Sequence, residues 1–317
     1  MVDPERAQLL GRVAQLYYEQ SVTQEAIAAS LHISRPTVSR LLKEAREEGI
    51  VQIIINTPFR YVTDLEVRLA QAFRHLQQVQ VLRETDSATV VRAAALYVGN
   101  IVKDGDVIGV SWGNTMTEMT AHLPHHPLRG ATVVQLNGGV ARAGAGTNAH
   151  DIISRFGRAF GAETYYLNVP AIVDSPQVRE ALLQNRETVQ VLSLGKRATV
   201  AVYAIGAPES QSVLVQAGYF SPQFLQRLQR QGAAGDICSR YFTVDGQVCD
   251  SELNARTIGV TLEALGQVEH AVAVVRGAHK APGVLGALRG GFLTDLIIDE
   301  ATAGAVLRLH EGEANHP

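Results

Sequence analysis

The chain has 317 residues, 46% of them hydrophobic, which exceeds one compact domain and supports a large core beside a smaller unit. Its formal net charge of -3 excludes a polyanion binder that works by bulk positive charge, so any nucleic-acid contact must be concentrated in one element. The two cysteines, Cys238 and Cys249, form no CxxC pair and no disulfide framework, and no apolar run approaches the ~20 residues of a membrane span. A soluble cytoplasmic protein without a membrane partner is the expectation.

Residues 4 to 55 alternate short helical patterns and end in the apolar stretch "VQIIIN". Within "TQEAIAASLHISRPTVSRLLKEAREEGIV", Ile27, Ala28 and Leu31 form one apolar face, and Val38, Leu41, Leu42 and Ala45 form another at core-facing helical spacing. Ser34 stands at an N-cap position, and Pro36 falls in the first turn, where it removes no intrahelical donor. His32 occupies the tight turn between the two helices, where a positive φ is needed and histidine tolerates it. The pattern predicts a helix-turn-helix with "VQIIIN" as its wing. Turning the apolar stripe inward leaves Arg35, Ser39, Lys43 and Arg46 on the opposite side, with Pro36, Thr37 and Arg40 along the flank. Arginine can grip guanine through two parallel bonds, while hydroxyls and lysine can hold phosphates. Gln24, Arg35, Pro36, Thr37, Ser39, Arg40 and Lys43 are therefore the candidate DNA-contacting residues. Residues 1 to 60 carry seven Lys/Arg against seven Asp/Glu, so the positive charge is displayed and not abundant.

Pro58 interrupts the chain, and Leu65, Leu69, Ala72 and Phe73 then recur at helical spacing, which predicts a linking helix over 58–77. The expected organisation is a DNA-binding domain over 1–57, that helix, and a sheet domain over 78–317, which the family resemblance below makes an effector-binding domain. From residue 78 onward, short β-branched runs such as "VQVL", "DVIGV", "TVAVYAIG", "AVAVVRG" and "TDLIIDE" alternate with helical stretches. This texture predicts an α/β, Rossmann-like, mostly parallel sheet with helices on both faces, which binds ligands outside the carboxyl ends of its strands.

"GVSWGNTM" reads as a strand end, a glycine-bearing loop and a helix start, a build that suits an anion. Ser111, Gly113, Asn114 and Thr115 are its candidate contacts. The spacing matches neither GxxxxGK[ST] nor GxGxxG, so a nucleotide-triphosphate loop is excluded and a dinucleotide is poorly supported. "VVQLNGGV" ends a second strand in Asn137, Gly138 and Gly139, and "GAAGDICSRYFTVDGQ" places Asp236 between a glycine-bearing loop and a strand. Asp236 can accept bonds from sugar hydroxyls. Lys280 starts a helix after a buried strand, where it either completes the pocket's charge or is solvated. Trp112 stacks on a sugar or packs the loop. "HLPHHP" groups three histidines with two prolines and no carboxylate, which favours a loop over a metal site. Asp299 and Glu300 form either a carboxylate pair or a helix cap.

Taken in order, "TQEAIAASLHISRPTVSRLLKEAREEGIVQI", "GVSWGNT", "GDICSRYFTVDG" and "KAPGVLGALRGGFLTDLIIDEATA" resemble the SorC family of bacterial transcriptional regulators, over nearly the whole chain. The resemblance implies a helix-turn-helix joined to a sugar-binding domain related to sugar-phosphate isomerases. It further implies a homotetramer or dimer of dimers on operator DNA, an allosteric phosphorylated sugar or polyol effector, and no cofactor. On that basis Ser111, Gly113, Asn114 and Thr115 fall on the family's phosphate loop, and Asp236 and Lys280 on two further pocket positions. Thr243 and "RGAHK" depart from the family pattern, which leaves the effector's identity open. The acid/base segments "DGADE" and "DGH … NEP" of the related isomerases do not occur. A sensor of carbohydrate or polyol metabolism is expected, with an isomerase-like enzyme carrying an accessory DNA-binding domain as the alternative.

Overall fold

A computed structural model describes residues 4–51, 59–84, 86–140 and 149–314. The chain divides into Met1–Pro58 and Phe59–Pro317.

The first unit contains α1 (Pro4–Ala14), a π-helical turn over Gln15–Glu19, α2 (Gln24–Leu31) and α3 (Arg35–Glu47). Its core joins Leu10 and Val13 of α1, Ile27 and Ala28 of α2, and Val38, Leu41, Leu42 and Ala45 of α3. Both helix starts are capped: Thr23 accepts from the Ala26 amide, and Ser34 from the Thr37 amide at 3.3 Å. Such a cap satisfies one of the first-turn amides that the helix itself cannot bond, an effect of about 1 kcal/mol. His32 ends α2 in the left-handed region at φ 53°, and its amide bonds back into the last turn. These local features produce the helix-turn-helix that the stripe and caps predicted. The wing assigned to "VQIIIN" begins at Val51 and otherwise lies outside the described residues.

The second unit holds β1 (Arg60–Tyr61), α4 (Thr63–Ala72), β2 (Gln78–Arg83), α5 (Thr89–Ile101), β3 (Val107–Val110), α6 (Asn114–Thr120), β4 (Thr132–Gln135), α7 (Ala149–Phe160) and β5 (Glu163–Tyr165). There follow α8 (Pro176–Leu182), α9 (Arg186–Lys196), β6 (Val200–Ala204), α10 (Val213–Gln216), α11 (Pro222–Arg230), β7 (Ala233–Ile237) and β8 (Arg240–Thr243). The last part comprises α12 (Ser251–Arg256), α13 (Leu262–Leu265), β9 (His270–Val275), α14 (Ala281–Arg289), β10 (Asp295–Asp299) and α15 (Glu300–Ala314).

Among the described residues, eight strands form one sheet in the order β1-β2-β10-β9-β6-β3-β4-β5. All pairings are parallel except β1 with β2. The strands are continuous apolar runs because both faces are covered. On β9, Ala271, Ala273 and Val275 face a core shared with Leu69, Val284, Leu285 and Val306, whereas Val272 and Val274 face the opposite core with Val90, Met116 and Phe156. That alternation is the two-residue period of a strand read from its two sides.

The stretch expected as a linking helix over 58–77 contains β1 and α4, both within the second unit. Leu69 and Phe73 are buried in the sheet's core with Leu65 packed against it, Ala72 is exposed, and Glu66 accepts the Val81 amide. The apolar stripe that suggested a linker is satisfied by the sheet. A second difference concerns Asp236, which lies on β7 and not in a loop before a strand. β7 and β8 form a separate antiparallel hairpin turned at Cys238 and Ser239, both at positive φ (52° and 67°). Two successive left-handed residues match the twist of a tight hairpin, but the sequence lacks the Asn-Gly signature that would announce one.

Candidate functional site

The topology fixes where a ligand can enter. From β3 the chain moves outward to β4 and β5, and from β6 it moves the other way to β9 and β10, while β3 and β6 are neighbours. The connections therefore part at the carboxyl ends of β3 and β6 and open a crevice there.

A cavity of about 170 Å³ occupies that crevice. Ser111, Trp112, Gly113, Asn114 and Thr115 enter it from β3 and the start of α6, Asn137 from β4, Gly206, Ala207 and Glu209 from β6, Asp236 from β7, and Lys280 from the turn before α14. Seven of the nine residues proposed for effector contact thus line one space: Ser111, Gly113, Asn114, Thr115, Asn137, Asp236 and Lys280. Gly138 and Gly139 do not line it. Gly138 instead permits close backbone packing, since a Cβ there would stand 2.4 Å from the Pro170 carbonyl oxygen. Gly139 forms a bridge with Pro170.

The loop after β3 is built to leave backbone amides free. Gly113 precedes α6 at φ 139°, a conformation that strains any L side chain, and it supplies no side-chain cap. Trp112 packs the loop: its indole N–H donates to the Gly138 carbonyl at 2.7 Å and ties the loop to the end of β4. The first turn of α6 thus has no side-chain cap, and Asn114 and Thr115 of that turn line the cavity.

Two charged groups stand across from that loop. Asp236 is taken out of water, which raises its carboxyl to about 6, while the Ser239 amide and the Lys280 charge pull it back down. Lys280 is lowered from its ordinary value by burial, and opposed by the charges of Asp236 and Glu209. No ion pair or hydrogen bond holds the Lys280 amine among the described residues. Asn137 is 2% exposed, donates from Nδ2 to Ser239 Oγ at 3.4 Å, and its Oδ1 has no partner among the described residues. These groups are under-satisfied polar functions converging on one cavity, the default signature of a binding site.

A supporting residue was not legible in the sequence. Arg240, 2% exposed, donates from Nε to the Val260 carbonyl at 2.7 Å, from Nη1 to Asn254, and from Nη2 to the carbonyls of Thr257 and Gly259. It therefore fastens the strap over 254–260, and that strap bonds Asn137 and Gly138 through Gly259 and Ile258. Burial lowers the guanidinium to about 10. Glu209, Gln211, Ser212, Ser239 and Tyr241 also line the cavity and were not foreseen. The end of "TVAVYAIGAPES" carried the relevant signal, a buried strand running into a glycine and proline.

Other features resolve as structural. Asp299 accepts the Thr302 amide at 2.8 Å and the Gly277 amide at 2.9 Å, and so caps α15, while Glu300 pairs with Arg83. His126 Nδ1 lies 3.1 Å from the Gly99 carbonyl oxygen. Among the described residues no group of three His, Cys, Asp or Glu side chains could hold a metal, and no helix is long and apolar enough to cross a membrane.

In the first unit, Arg35, Pro36, Ser39, Arg40 and Lys43 are exposed along α3, and Gln24 and Thr37 are partly buried. Arg35 pairs with Glu25 at 2.7 Å and Lys43 with Glu47 at 3.6 Å, whereas Arg40 has no ion pair among the described residues.

A family model for a sugar-binding domain matches residues 57–308, and one for a Crp-like helix-turn-helix domain matches residues 7–66. The chain is 37% identical over 311 residues to the deoxyribonucleoside regulator of Bacillus subtilis, covering 96% of this chain and 99% of that one. It is 30% identical to the sorbitol operon regulator of Klebsiella pneumoniae, covering 97% of this chain and 100% of the relative. The crystal structure of the full-length sorbitol operon regulator SorC from Klebsiella pneumoniae superposes with a TM-score of 0.72, covering 96% and 99% of the two chains. The chain belongs to the SorC family. Like its SorC relatives, which are named as transcriptional regulators, it joins a helix-turn-helix to a sugar-binding domain.

Proposed function

We infer that this SorC-family member is an operator-binding regulator whose DNA affinity is set by a phosphorylated sugar or polyol held in the cavity at the carboxyl ends of β3 and β6. The convergence of the amide-bearing loop Ser111–Thr115 with half-buried Asp236 and the Lys280 amine, unpaired among the described residues, carries this reading. The loop offers N–H and hydroxyl donors, and Lys280 a positive charge, which together suit a phosphate monoester. Asp236 and Asn137 offer acceptors, which suit hydroxyls. Burial strengthens the bonds of Ser111, Thr115 and Asn137, which have little water to lose when the ligand arrives.

Binding acts on operator affinity by population shift. The effector favours whichever arrangement of subunits holds it better, and a differential affinity of about 1–3 kcal/mol suffices for a 5- to 150-fold change. A homotetramer or dimer of dimers is the proposed unit, since paired half-sites call for paired recognition helices. Arg35, Ser39, Arg40 and Lys43 are the proposed DNA contacts, joined by Gln24, Pro36 and Thr37 along the same motif.

One observation favours a second reading. A carboxyl near 6 beside a lysine of lowered pKa is what proton transfer on a sugar phosphate requires. The relatives are named as regulators, and the isomerase acid/base segments are missing from the sequence, so sensing is preferred. The deciding experiment incubates the protein with a panel of aldose, ketose and polyol phosphates and follows thermal unfolding and ligand consumption together. Stabilisation without turnover supports the sensor, and turnover lost in Asp236→Asn supports the enzyme.

A further inference from the structure

The wall of the cavity holds a hydroxyl that no other described residue uses. Tyr241 lines the cavity, is 3% exposed, and its phenol oxygen has no hydrogen-bond partner among the described residues. The Ser212 hydroxyl acts on the phenol's charge but stands outside hydrogen-bond geometry, and it caps α10 by accepting the Val215 amide at 3.4 Å. Burial and the Asp236 charge push the phenol well above its ordinary value, with Ser212 opposing, so it stays an O–H donor. The ring is fixed in place: it packs with Leu214, Phe220, Leu228 and Leu253, and meets Phe220 edge-on with 5.7 Å between centroids. A buried hydroxyl without a partner is a cost that folds avoid, and one kept in a ligand cavity calls for a reason.

The hairpin shows what the hydroxyl faces. Asp236 on β7 and Tyr241 on β8 are paired directly across it, and residues paired in this way project from the same face. The phenol, on the longer side chain, reaches past the carboxylate. A ligand hydroxyl seated on half-buried Asp236 therefore brings the next oxygen of the same carbon chain to Tyr241. A hydroxyl suits that place, because it accepts from the phenol and adds no charge beside Asp236. A phosphate does not, since its charge would oppose that of the carboxylate.

We propose that Tyr241 is a specificity-determining residue of the effector site, donating to the ligand hydroxyl next to the one that Asp236 receives. The proposal rests on the reading of the cavity as a sugar-phosphate site. It adds to that reading a residue that selects the hydroxyl pattern of the ligand and not its phosphate. The phenol surrenders neither water nor a protein partner when it pairs, so the bond keeps most of its value, and an analogue lacking that hydroxyl forfeits it.

The test titrates the full chain calorimetrically with ribose 5-phosphate, fructose 6-phosphate and glucitol 6-phosphate, each beside its mono-deoxy analogues. Tyr241→Phe removes the hydroxyl and keeps the ring. The variant is expected to bind a fully hydroxylated compound about tenfold more weakly than the wild type. For the analogue deoxygenated at one particular carbon, the two proteins bind within about twofold of each other, while the other analogues keep the tenfold gap; this is the coupling of one protein group to one ligand group. In urea unfolding without ligand, Tyr241→Phe is as stable as the wild type or more so, because no bond within the protein is lost. Equal affinity of the two proteins for the hydroxylated compounds overturns the proposal, as does a gap that persists for every analogue. A variant less stable than the wild type assigns the hydroxyl to the fold and overturns it as well. If the wild type binds none of the three phosphates, the sugar-phosphate reading itself fails.

Discussion

Replacing Asp236 with asparagine separates stability from sensing. In the folded chain burial holds this carboxyl near 6, against an ordinary 3.8, so the fold disfavours its charged form. Folding therefore takes up a proton in the window between those values, and stability falls as pH rises from about 4 through 6. The difference of about 2 in pKa corresponds to about 3 kcal/mol at pH 7, since each tenfold change in proton affinity is 1.36 kcal/mol. Asparagine has the same shape and no charge, and its carbonyl can still accept the Ser239 amide. Asp236→Asn is expected to be more stable than the wild type by up to about 3 kcal/mol at pH 7–8, and by only about 1 kcal/mol at pH 4.5. Urea unfolding of both proteins at the two pH values measures this directly. In the same variant, stabilisation by sugar phosphates is lost. A variant destabilised equally at both pH values would show that ionised Asp236 is well solvated by Lys280, and the reasoning would fail. The expected pattern, a site residue that costs stability, is the usual mark of a function retained against the fold's interest.

Three further outcomes follow from the same geometry. Arg240→Met leaves the carbonyls of Val260 and Gly259 without their side-chain donor, the Thr257 carbonyl keeping that of Arg179, and is expected to cost about 3–5 kcal/mol in urea unfolding despite removing a buried charge. Thr115→Leu fills the mouth of the loop and should abolish the thermal shift given by sugar phosphates, with operator affinity within about twofold of wild type; a retained shift would move the ligand elsewhere. Arg40→Ala should weaken operator binding and make its salt dependence shallower by about one unit of slope, with effector stabilisation unchanged.

The sequence made some of this legible and hid the rest for identifiable reasons. Ser34, Pro36 and the Val38, Leu41, Leu42, Ala45 stripe announce a helix start and its buried face, because caps and helical period are local properties. The parallel sheet was readable for the same reason, since strands covered on both sides become unbroken apolar runs such as "AVAVVRG". Leu65, Leu69 and Phe73 gave a helix but not its partner, because an apolar stripe does not say which surface covers it. The hairpin at Cys238 and Ser239 was missed because neither residue advertises a left-handed conformation. Arg240 was missed because its partners are carbonyls 14 to 20 residues away, which no local pattern around it announces. The pocket positions named in advance came partly from strand ends and partly from family resemblance, and seven of them line one cavity.

The central claim is that one phosphorylated ligand in the cavity controls operator affinity. Its most direct test measures operator binding by the full chain against increasing aldose, ketose and polyol phosphates, beside their unphosphorylated counterparts. The account predicts that at least one phosphorylated compound changes operator affinity by fivefold or more, as expected of a coupling above about 1 kcal/mol, and that neither its unphosphorylated form nor the Thr115→Leu variant does so. An equal response to the unphosphorylated compound, or an undiminished response in Thr115→Leu, would contradict it.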